Sequence, residues 1–438
     1  MRTYNRQRGV VLVLVLWIVI LLTIISYSLL FQVTVDGSVT ASRKRYLEAE
    51  MLARAGVARA IVDLRNDLIF DFMEEAKVFD AEGDVWARPE EGKNRMTFER
   101  GRSGSRGTPD RYFSVRVHDE QGLLNLNRIG RASLPVIQEI LEELGYEEED
   151  AKIAAAAILD WRDTDYIPSF ENAPSNDEGL AYAAIKAEDE ERGRADIDDL
   201  EPLVFRNEDY LTVDELLEVY GITAEVFFGP QTPEAEHYSR FIPPPIGDRF
   251  VADRDEPLIY DADEDRGGRP LGLRDYFTVH GTGALNINTA RYHVLVAMGN
   301  AAGTDGERFA ERVIRNRRGG RSDNLDNDNA YQEGSELVAD VEIAGVIGTM
   351  QAMGVPIDVK SSVFRIVSVG VVGDVRCTLE VLVTREMKRI VRDESLELRD
   401  RARERREQNS GRYERRTDVN DEAVIRYPFV RILQCYIH

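Results

Sequence analysis

The sequence predicts an α+β protein in which a long N-terminal transmembrane helix carries a head with an antiparallel sheet, and a large all-α domain is inserted into that head. Three observations support this fold class. The chain opens with a run of twenty-two uncharged residues, 10–31. Segments with strand character stand at 112–117 and 363–384, and the sequence between them has mostly helical patterns. One sheet interrupted by a helical insert explains this order.

The uncharged run has the length and the flanks of a membrane anchor. At about 1.5 Å per residue, a helix over residues 10–31 is about 33 Å long, which is enough to cross a hydrocarbon core of about 30 Å. Arg2, Arg6 and Arg8 precede the run, and positive charge stays on the cytoplasmic side of a membrane. We therefore expect the remainder of the chain to be exported.

The run differs from an ordinary secretory signal, whose apolar part has about 7–15 residues and ends at small residues. Beyond Phe31 the pattern becomes amphipathic, and apolar residues at helical spacing share one face: Leu47, Met51, Ala55, Ala58 and Val62. This spacing predicts one long helix, over 10–68, that leaves the membrane and enters a globular head. A plain single-pass anchor is the alternative explanation of the run alone.

The start of the chain resembles the class III leader of type IV pilin-like proteins. Arg8 and Gly9 stand directly before the apolar run, which begins at Val10. The resemblance implies that prepilin peptidase cuts after Gly9, removing a leader of residues 1–9, and that the new N-terminus at Val10 is methylated. Leu14 occupies the position where most pilins carry a glutamate. That departure is a trait of minor pseudopilin K of the type II secretion system.

The body of the chain carries three further segments similar to that family. They are Asp119 to Asn127, which matches Asp-x-x-Gly-x-x-Asn-x-Asn, Asp160 to Asp165, which matches Asp-Trp-x-Asp-x-Asp, and Leu211 to Leu217. The resemblance implies a pseudopilin α/β head with an α-domain inserted after its first strand. The expected parts are the helix 10–68, a first head part 69–124, the inserted α-domain 125–275, a second head part with sheet 276–384, a charged linker 385–422 and a C-terminal strand 423–438.

Strand character in the second head part comes from residues rich in β-branched side chains, at 277–280, 363–372 and 377–384. Gly373-Asp374 supplies a hairpin turn between the last two segments. The final strand is expected to pair with the main sheet, which would bring Cys435 near Cys377. Those cysteines form a disulfide in an oxidising compartment if their Cα atoms lie within about 7 Å, and otherwise remain two free thiols.

Acidic residues cluster around a proline-broken loop in the helical domain. Calcium binds six to eight oxygens, and such a loop lets carboxylates converge. The resemblance implies calcium in this domain, and the residues carried over are Asp160, Asp163, Asp165, Asp177 and Glu178. A charged, solvated surface is the alternative, since the chain has a formal net charge of −23.

Two segments, Asn125 to Asn127 and Asn286 to Asn288, echo each other, and each precedes a pair of helices. The second unit resembles the helix-hairpin-helix of DNA-uptake proteins, with arginines at 308, 312, 315, 317 and 318. An exported, membrane-anchored DNA-binding protein of a competence-type system is therefore the rival hypothesis. The net charge of −23 disfavours it, because a nucleic-acid binder needs a basic face.

No catalytic pattern emerges, because the five histidines are scattered and no His-Glu-x-x-His, Gly-x-Ser-x-Gly or phosphate loop occurs. We therefore expect a structural protein and not an enzyme. The resemblance implies a single-pass inner-membrane protein with a periplasmic head, at the tip of the type II secretion pseudopilus. It would initiate and cap the fibre that exports proteins across the outer membrane. The implied partners are minor pseudopilins of the I and J types, the major pseudopilin, prepilin peptidase and the inner-membrane assembly platform.

Overall fold

The computed structural model describes residues 6–73, 79–87, 95–97, 111–189, 200–229, 271–317, 330–390 and 425–437. Its α-helices are α1 (Arg6–Met73), α2 (Leu134–Glu143), α3 (Glu148–Asp160), α4 (Glu178–Asp189), α5 (Ala224–Phe228), α6 (Tyr292–Ala301), α7 (Gly306–Arg317) and α8 (Val341–Ala352). Its strands are β1 (Arg95–Thr97), β2 (Arg111–Asp119), β3 (Leu124–Asn125), β4 (Phe277–Thr278), β5 (Leu285–Asn286), β6 (Ile357–Asp358), β7 (Val363–Val372), β8 (Val375–Ile390) and β9 (Ile425–Ile437).

Helix α1 runs without a break for 68 residues. Among the described residues it is long and apolar enough to span a membrane, and its side chains from Leu12 to Leu47 are exposed. The predicted single-pass anchor is therefore present as a helix. About 18 residues separate Phe31 from Ala49, the first buried residue, so roughly 27 Å of helix lies between the membrane run and the head.

The face of α1 that packs on the head differs from the predicted one. Ala49, Ala53, Val57, Ala60 and Leu64 are buried, whereas the exposed fractions of Leu47, Met51 and Val62 are 55%, 63% and 49%. Small residues are favoured on the inner face because the helix lies very close to the sheet. A Cβ atom at Gly370 of β7 would overlap the carbonyl oxygen of Ala49. The spacing predicted helical amphipathicity, but not which of two apolar stripes contacts the sheet.

The head is a five-stranded antiparallel sheet in the order β1-β2-β7-β8-β9. Strands β2 and β7 are direct neighbours, with Arg111 opposite Val372 and Asp119 opposite Phe364, although the helical domain separates them along the chain. Helix α1 covers β2, β7 and β8, and apolar side chains from all four elements form the core of the head. The predicted sheet interrupted by a helical insert is confirmed.

The inserted domain extends further than residues 125–275. One continuous hydrophobic core contains buried residues from Leu123 to Val359, including those of α6, α7 and α8. Residues 276–359, predicted to belong to the head, therefore pack in the helical domain. The predicted strand at 277–280 is only the two-residue β4, which pairs in parallel with β3 and not with the main sheet.

The C-terminal part of the sheet follows the prediction in outline. Strand β7 has the predicted limits, and β8 continues to Ile390, so the first six residues of the predicted linker belong to a strand. Residues 391–424 lie outside the described residues. Strand β9 pairs antiparallel with β8, as predicted, and completes the sheet.

The disulfide between Cys377 and Cys435 is not formed, because both thiols are free. Cys435 lies opposite Val381, four residues along β8 from Cys377. At about 3.3 Å per residue this offset is about 13 Å, which exceeds the Cα separation that a disulfide permits. Adjacent strands therefore bring the two cysteines into one region, but the register keeps them apart.

Candidate metal centre

The candidate metal centre lies where α3 ends and α4 begins. Asp160 is the last residue of α3, Glu178 is the first residue of α4, and Asp163 follows in the loop between the helices. One carboxylate oxygen from each of these residues lies within 4.8 Å of the others. Asp160 and Glu178 are buried, and Asp163 is half-buried. The fold thus brings together three of the five residues predicted to bind calcium.

The hydrogen bonds at this centre leave one oxygen of each carboxylate without a partner. Oδ2 of Asp160 accepts hydrogen bonds from the backbone N–H of Ser169 at 3.0 Å and from the hydroxyl of Tyr182 at 2.8 Å. Oδ1 of Asp160, Oδ1 of Asp163 and Oε2 of Glu178 are buried atoms that accept no hydrogen bond. Buried carboxylate oxygens in this state are costly, so their convergence fits a bound cation.

The pKa values of the three carboxylates are also consistent with a bound cation. Burial, followed by the charges of Asp160 and Asp165, raises the pKa of Asp163 to about 6. Burial, together with the charges of four nearby aspartates, raises the pKa of Glu178 to about 8. Burial also raises the pKa of Asp160. Burial is the largest cause of all three shifts, and neighbouring carboxylates add to it for Asp163 and Glu178, so a bound cation would favour the charged forms.

Asp165 and Asp177 lie beside this group and do not belong to it. The Asp165 carboxylate accepts a hydrogen bond from the backbone N–H of Ile167, and that of Asp177 accepts one from the N–H of Leu180 in the first turn of α4. Both residues are exposed. Their negative charges nevertheless raise the pKa of Glu178, so both contribute to the acidic field of the centre.

The residues present fit calcium by their donor type. Carboxylate oxygens are the ligands that calcium prefers, and backbone carbonyls or waters complete its coordination in most sites. Among the described residues, this centre contains only carboxylate ligands and no histidine or cysteine. Asp160, Asp163 and Glu178 would hold the ion, which would link the end of α3 to the start of α4.

A second acidic cluster, which sequence reasoning missed, is paired with an arginine side chain. Asp67, Asp80 and Asp84 are buried together near the end of α1. Arg385 of β8 enters this cluster and forms ion pairs with Asp67 at 2.7 Å and with Asp80. A guanidinium thus supplies positive charge here, whereas no arginine or lysine pairs with Asp160, Asp163 or Glu178 among the described ion pairs. Nothing in the sequence connects the three aspartates with Arg385, which follows them only after the whole inserted domain.

The Asp-x-x-Gly-x-x-Asn-x-Asn segment forms the junction between head and helical domain. Oδ2 of Asp119, at the end of β2, accepts hydrogen bonds from Thr289 at 2.5 Å, from Asn286 at 3.2 Å and from the hydroxyl of Ser361. Burial raises the pKa of Asp119 to about 6. Gly122 is required because a Cβ atom there would meet the carbonyl oxygen of Thr289 at 2.6 Å.

The predicted internal echo is a structural repeat. Asn127 exchanges two hydrogen bonds with the backbone of Tyr210, at 2.9 and 2.8 Å. Asn288 does the same with the backbone of Tyr331, at 2.8 and 2.9 Å. Each asparagine follows a two-residue strand, and each strand precedes a helical hairpin, α2–α3 or α6–α7.

Three arginines of the second hairpin are engaged in contacts within the protein, whereas Arg315 is exposed. Arg312 pairs with Asp340 at 2.6 Å and with Glu342 at 2.8 Å, and Arg308 pairs with Glu342 at 3.3 Å. Arg317 is buried and donates hydrogen bonds to the carbonyls of Ile287 and Ala290. The turn that precedes α7 contains Asp305, and α7 begins with Gly306 and Glu307. Among the described arginines these contacts engage Arg308, Arg312 and Arg317, which disfavours phosphate binding here, and the predicted Arg318 lies outside the described residues.

The described histidines do not form a site. Burial lowers the pKa of His118 to about 3, so it is neutral in the core. His293 is buried and contacts the backbone carbonyl of Asp275 at 3.1 Å. Gly9 and Val10 lie in the first turns of α1, where only the backbone is described. The prediction of their processing stays a prediction.

Comparison with solved structures found similar chains. The chain is similar to a chain of the GspK-GspI-GspJ complex from the type 2 secretion system of enterotoxigenic Escherichia coli, with a TM-score of 0.46 and 15% sequence identity. The similarity covers 79% of this chain and 94% of that chain. No family model matches the sequence, and no curated protein matches it. The residues of this chain, and not this similarity, support the functional proposal.

Proposed function

We propose that this chain is a minor pseudopilin of the K type in a type II secretion system. In this role it is cut after Gly9 by prepilin peptidase and enters the inner membrane through the apolar part of α1. Its head then stands in the periplasm. It is a structural subunit, and its mechanism consists of packing, processing and cation binding.

The observation that carries the proposal is the neighbouring position of β2 and β7 under α1. Strand β2 ends at Asp119 and β7 begins at Val363, yet they pair over nine residues. A helical domain has thus been inserted into one sheet that packs on a membrane-anchored helix. This combination matches the resemblance given by the leader, by Leu14 and by the Asp119 to Asn127 segment.

The inserted domain supports a place at the tip of the fibre. In a fibre of stacked subunits, a bulky domain beside the sheet would clash with a subunit stacked above. A subunit of this shape therefore fits at the end of the fibre, where it would initiate and cap assembly. The proposed partners are minor pseudopilins of the I and J types, the major pseudopilin and the assembly platform.

We also propose that Asp160, Asp163 and Glu178 bind calcium. The ion would stabilise the helical domain by linking α3 to α4. Three buried carboxylate oxygens without partners support this proposal.

Mass spectrometry of the N-terminus tests the leader, with the full chain expressed beside a prepilin peptidase. We expect a chain that begins at methylated Val10. Gly9→Val should abolish the cut, whereas Gly37→Val, in an open part of the same helix, should leave it intact. A chain cut near Ser28, or one left uncut, would refute the leader.

Co-purification tests the tip assignment. The full chain in detergent should form a stable complex with I-type and J-type minor pseudopilins and should not bind duplex DNA in a gel shift at physiological salt. DNA binding that weakens steeply with added salt, without complex formation, would favour the competence-type alternative.

A further inference from the structure

We propose that Tyr182 is a positioning residue for the cation: its hydroxyl holds the carboxylate of Asp160 so that Oδ1 faces the metal centre. This inference rests on the proposed calcium site and adds a residue outside the acidic segments that predicted it. Tyr182 itself does not contact the ion.

The first step of the argument is the placement of Tyr182 on α4. Glu178 and Tyr182 are separated by one turn of this helix, so they lie on the same face. Glu178 contributes an oxygen to the centre, and the Tyr182 hydroxyl donates to Oδ2 of Asp160 at 2.8 Å. One face of α4 therefore supplies a candidate ligand and the group that orients a second ligand on α3.

The second step is the orientation of the Asp160 carboxylate. The hydrogen bonds from the Tyr182 hydroxyl and from the backbone N–H of Ser169 both reach Oδ2. Oδ1 accepts none and is buried. A carboxylate with one oxygen held by two donors cannot rotate freely, so its other oxygen keeps a fixed direction.

The third step is the rigidity of the tyrosine itself. The Tyr182 ring is fully buried, and the centroids of three aromatic rings lie close to its own: Phe170 at 5.2 Å, Phe205 at 5.2 Å and Tyr220 at 5.5 Å. Packing on three sides fixes the ring, and the fixed ring fixes the hydroxyl. A group that orients a ligand must itself be held in this way.

Removing such a group typically costs about 10–100-fold in metal affinity, because the ligand loses its preferred orientation. Tyr182→Phe retains the ring packing and removes only the hydroxyl. Since the Ser169 N–H still donates to Asp160, we expect the lower end of this range, about tenfold.

The matched control is Tyr210→Phe. Tyr210 is also buried in the helical domain, and its hydroxyl donates to the backbone carbonyl of Ile158 at 2.7 Å rather than to a carboxylate. The full chain, purified in detergent, is titrated with Ca²⁺ by isothermal titration calorimetry. Thermal unfolding in EGTA reports the loss of stability for each variant without calcium.

The expected result is a calcium dissociation constant about tenfold higher for Tyr182→Phe and unchanged for Tyr210→Phe. A purely structural tyrosine would lower the unfolding temperature in EGTA and leave the dissociation constant within twofold of wild type, which would overturn the proposal. Equal weakening in both variants would also overturn it. Failure of the wild-type chain to bind calcium would remove the metal centre itself, while the N-terminal cut and the partner complex would still test the pseudopilin assignment.

Discussion

Arg385 of β8 donates a hydrogen bond from Nη1 to Oδ2 of Asp67 on α1 at 2.7 Å, and both side chains are at least nine-tenths buried. Arg385 also pairs with Asp80, and its guanidinium lies 4.6 Å from the centre of the Phe364 ring. This arginine joins the C-terminal part of α1 to the sheet and to the segment 79–87.

Substitution of Arg385 by methionine should destabilise the head strongly. The change leaves Asp67 and Asp80 as buried carboxylates without their cation, and such a loss typically costs about 3–5 kcal/mol. Arg45→Met is the matched control, because the Arg45 pair with Asp374 is exposed and should contribute about 0–1 kcal/mol. Urea unfolding of the full chain in detergent measures both. Equal effects for the two variants would contradict the assignment of Arg385 as the link.

Calcium removal should lower the unfolding temperature of the wild-type chain, and Glu178→Gln should have opposite effects on stability without and with calcium. The folded-state pKa of Glu178 is raised to about 8, so its contribution to stability is present below the unfolded value near 4.3 and is lost as pH rises toward 8. At pH 8 in EGTA the glutamine variant should therefore be more stable than wild type. In calcium it should be less stable, because a ligand is missing. Glu171→Gln, an exposed carboxylate in the same loop, should change neither.

Glu143 should make the stability of the helical domain depend on pH. Partial burial, followed by the charges of Glu139 and Glu307, raises its pKa to about 7, although the residue keeps an exposed edge and accepts a hydrogen bond from Tyr276 at 3.1 Å. Its stabilising contribution is thus complete below about pH 4.3 and is lost as pH rises to about 7. Glu143→Gln should flatten the dependence of the unfolding free energy on pH in this window. Glu149→Gln, at the start of α3, should leave the slope as in wild type.

Asn127 and Asn288, which each exchange two hydrogen bonds with the backbone of a tyrosine, should contribute alike to the stability of the helical domain. Asn288→Ala leaves the backbone N–H and C=O of Tyr331 without partners, at an expected cost of about 1–3 kcal/mol. Asn127→Ala removes the equivalent bonds to Tyr210 and should cost about the same. Gln351→Ala changes an exposed amide side chain on α8 of the same domain and serves as the control. A negligible effect of Asn288→Ala on the unfolding free energy would show that the repeat does not hold the domain together.

The two cysteines should react as free thiols of unequal access. A maleimide should label Cys435 in the native chain, because this residue is exposed, and should reach Cys377 only after unfolding. Burial raises the pKa of the Cys377 thiol, which lowers its reactivity further. Intact mass before and after denaturation counts the labels. Detection of a Cys377–Cys435 disulfide in the purified chain would contradict the register of β8 and β9.

Local patterns in the sequence were sufficient for most elements. The uncharged run predicted α1, alternation and β-branched residues predicted β2, β7 and β8, and the Asn-x-Asn echo predicted a repeated unit. Strand β9 was also predicted to return to the main sheet, where it pairs with β8. The elements themselves depend on neighbours within a few turns or a few residues, which are visible in the sequence, whereas the pairing of β9 with β8 is a contact between distant segments.

Contacts between distant segments needed the tertiary structure. Helical periodicity could not choose between two apolar stripes of α1, because the choice depends on how closely Gly370 lets the helix approach. The limit of the helical domain at 275 was wrong because α6 to α8 bury their side chains in the same core as α2 and α3.

By itself, the sequence predicted a helix long and apolar enough to span a membrane, a sheet split by a helical insert, and a proline-broken acidic loop whose carboxylates can converge. Only the tertiary structure decided which of those carboxylates meet. Asp160, Asp163 and Glu178 converge. The carboxylates of Asp165 and Asp177 accept hydrogen bonds from backbone amides, and the Tyr182 hydroxyl donates one to Asp160. The physical reason is that a cation site requires oxygens within a few ångströms of one another, and the packing of α3 against the loop and α4 sets those distances.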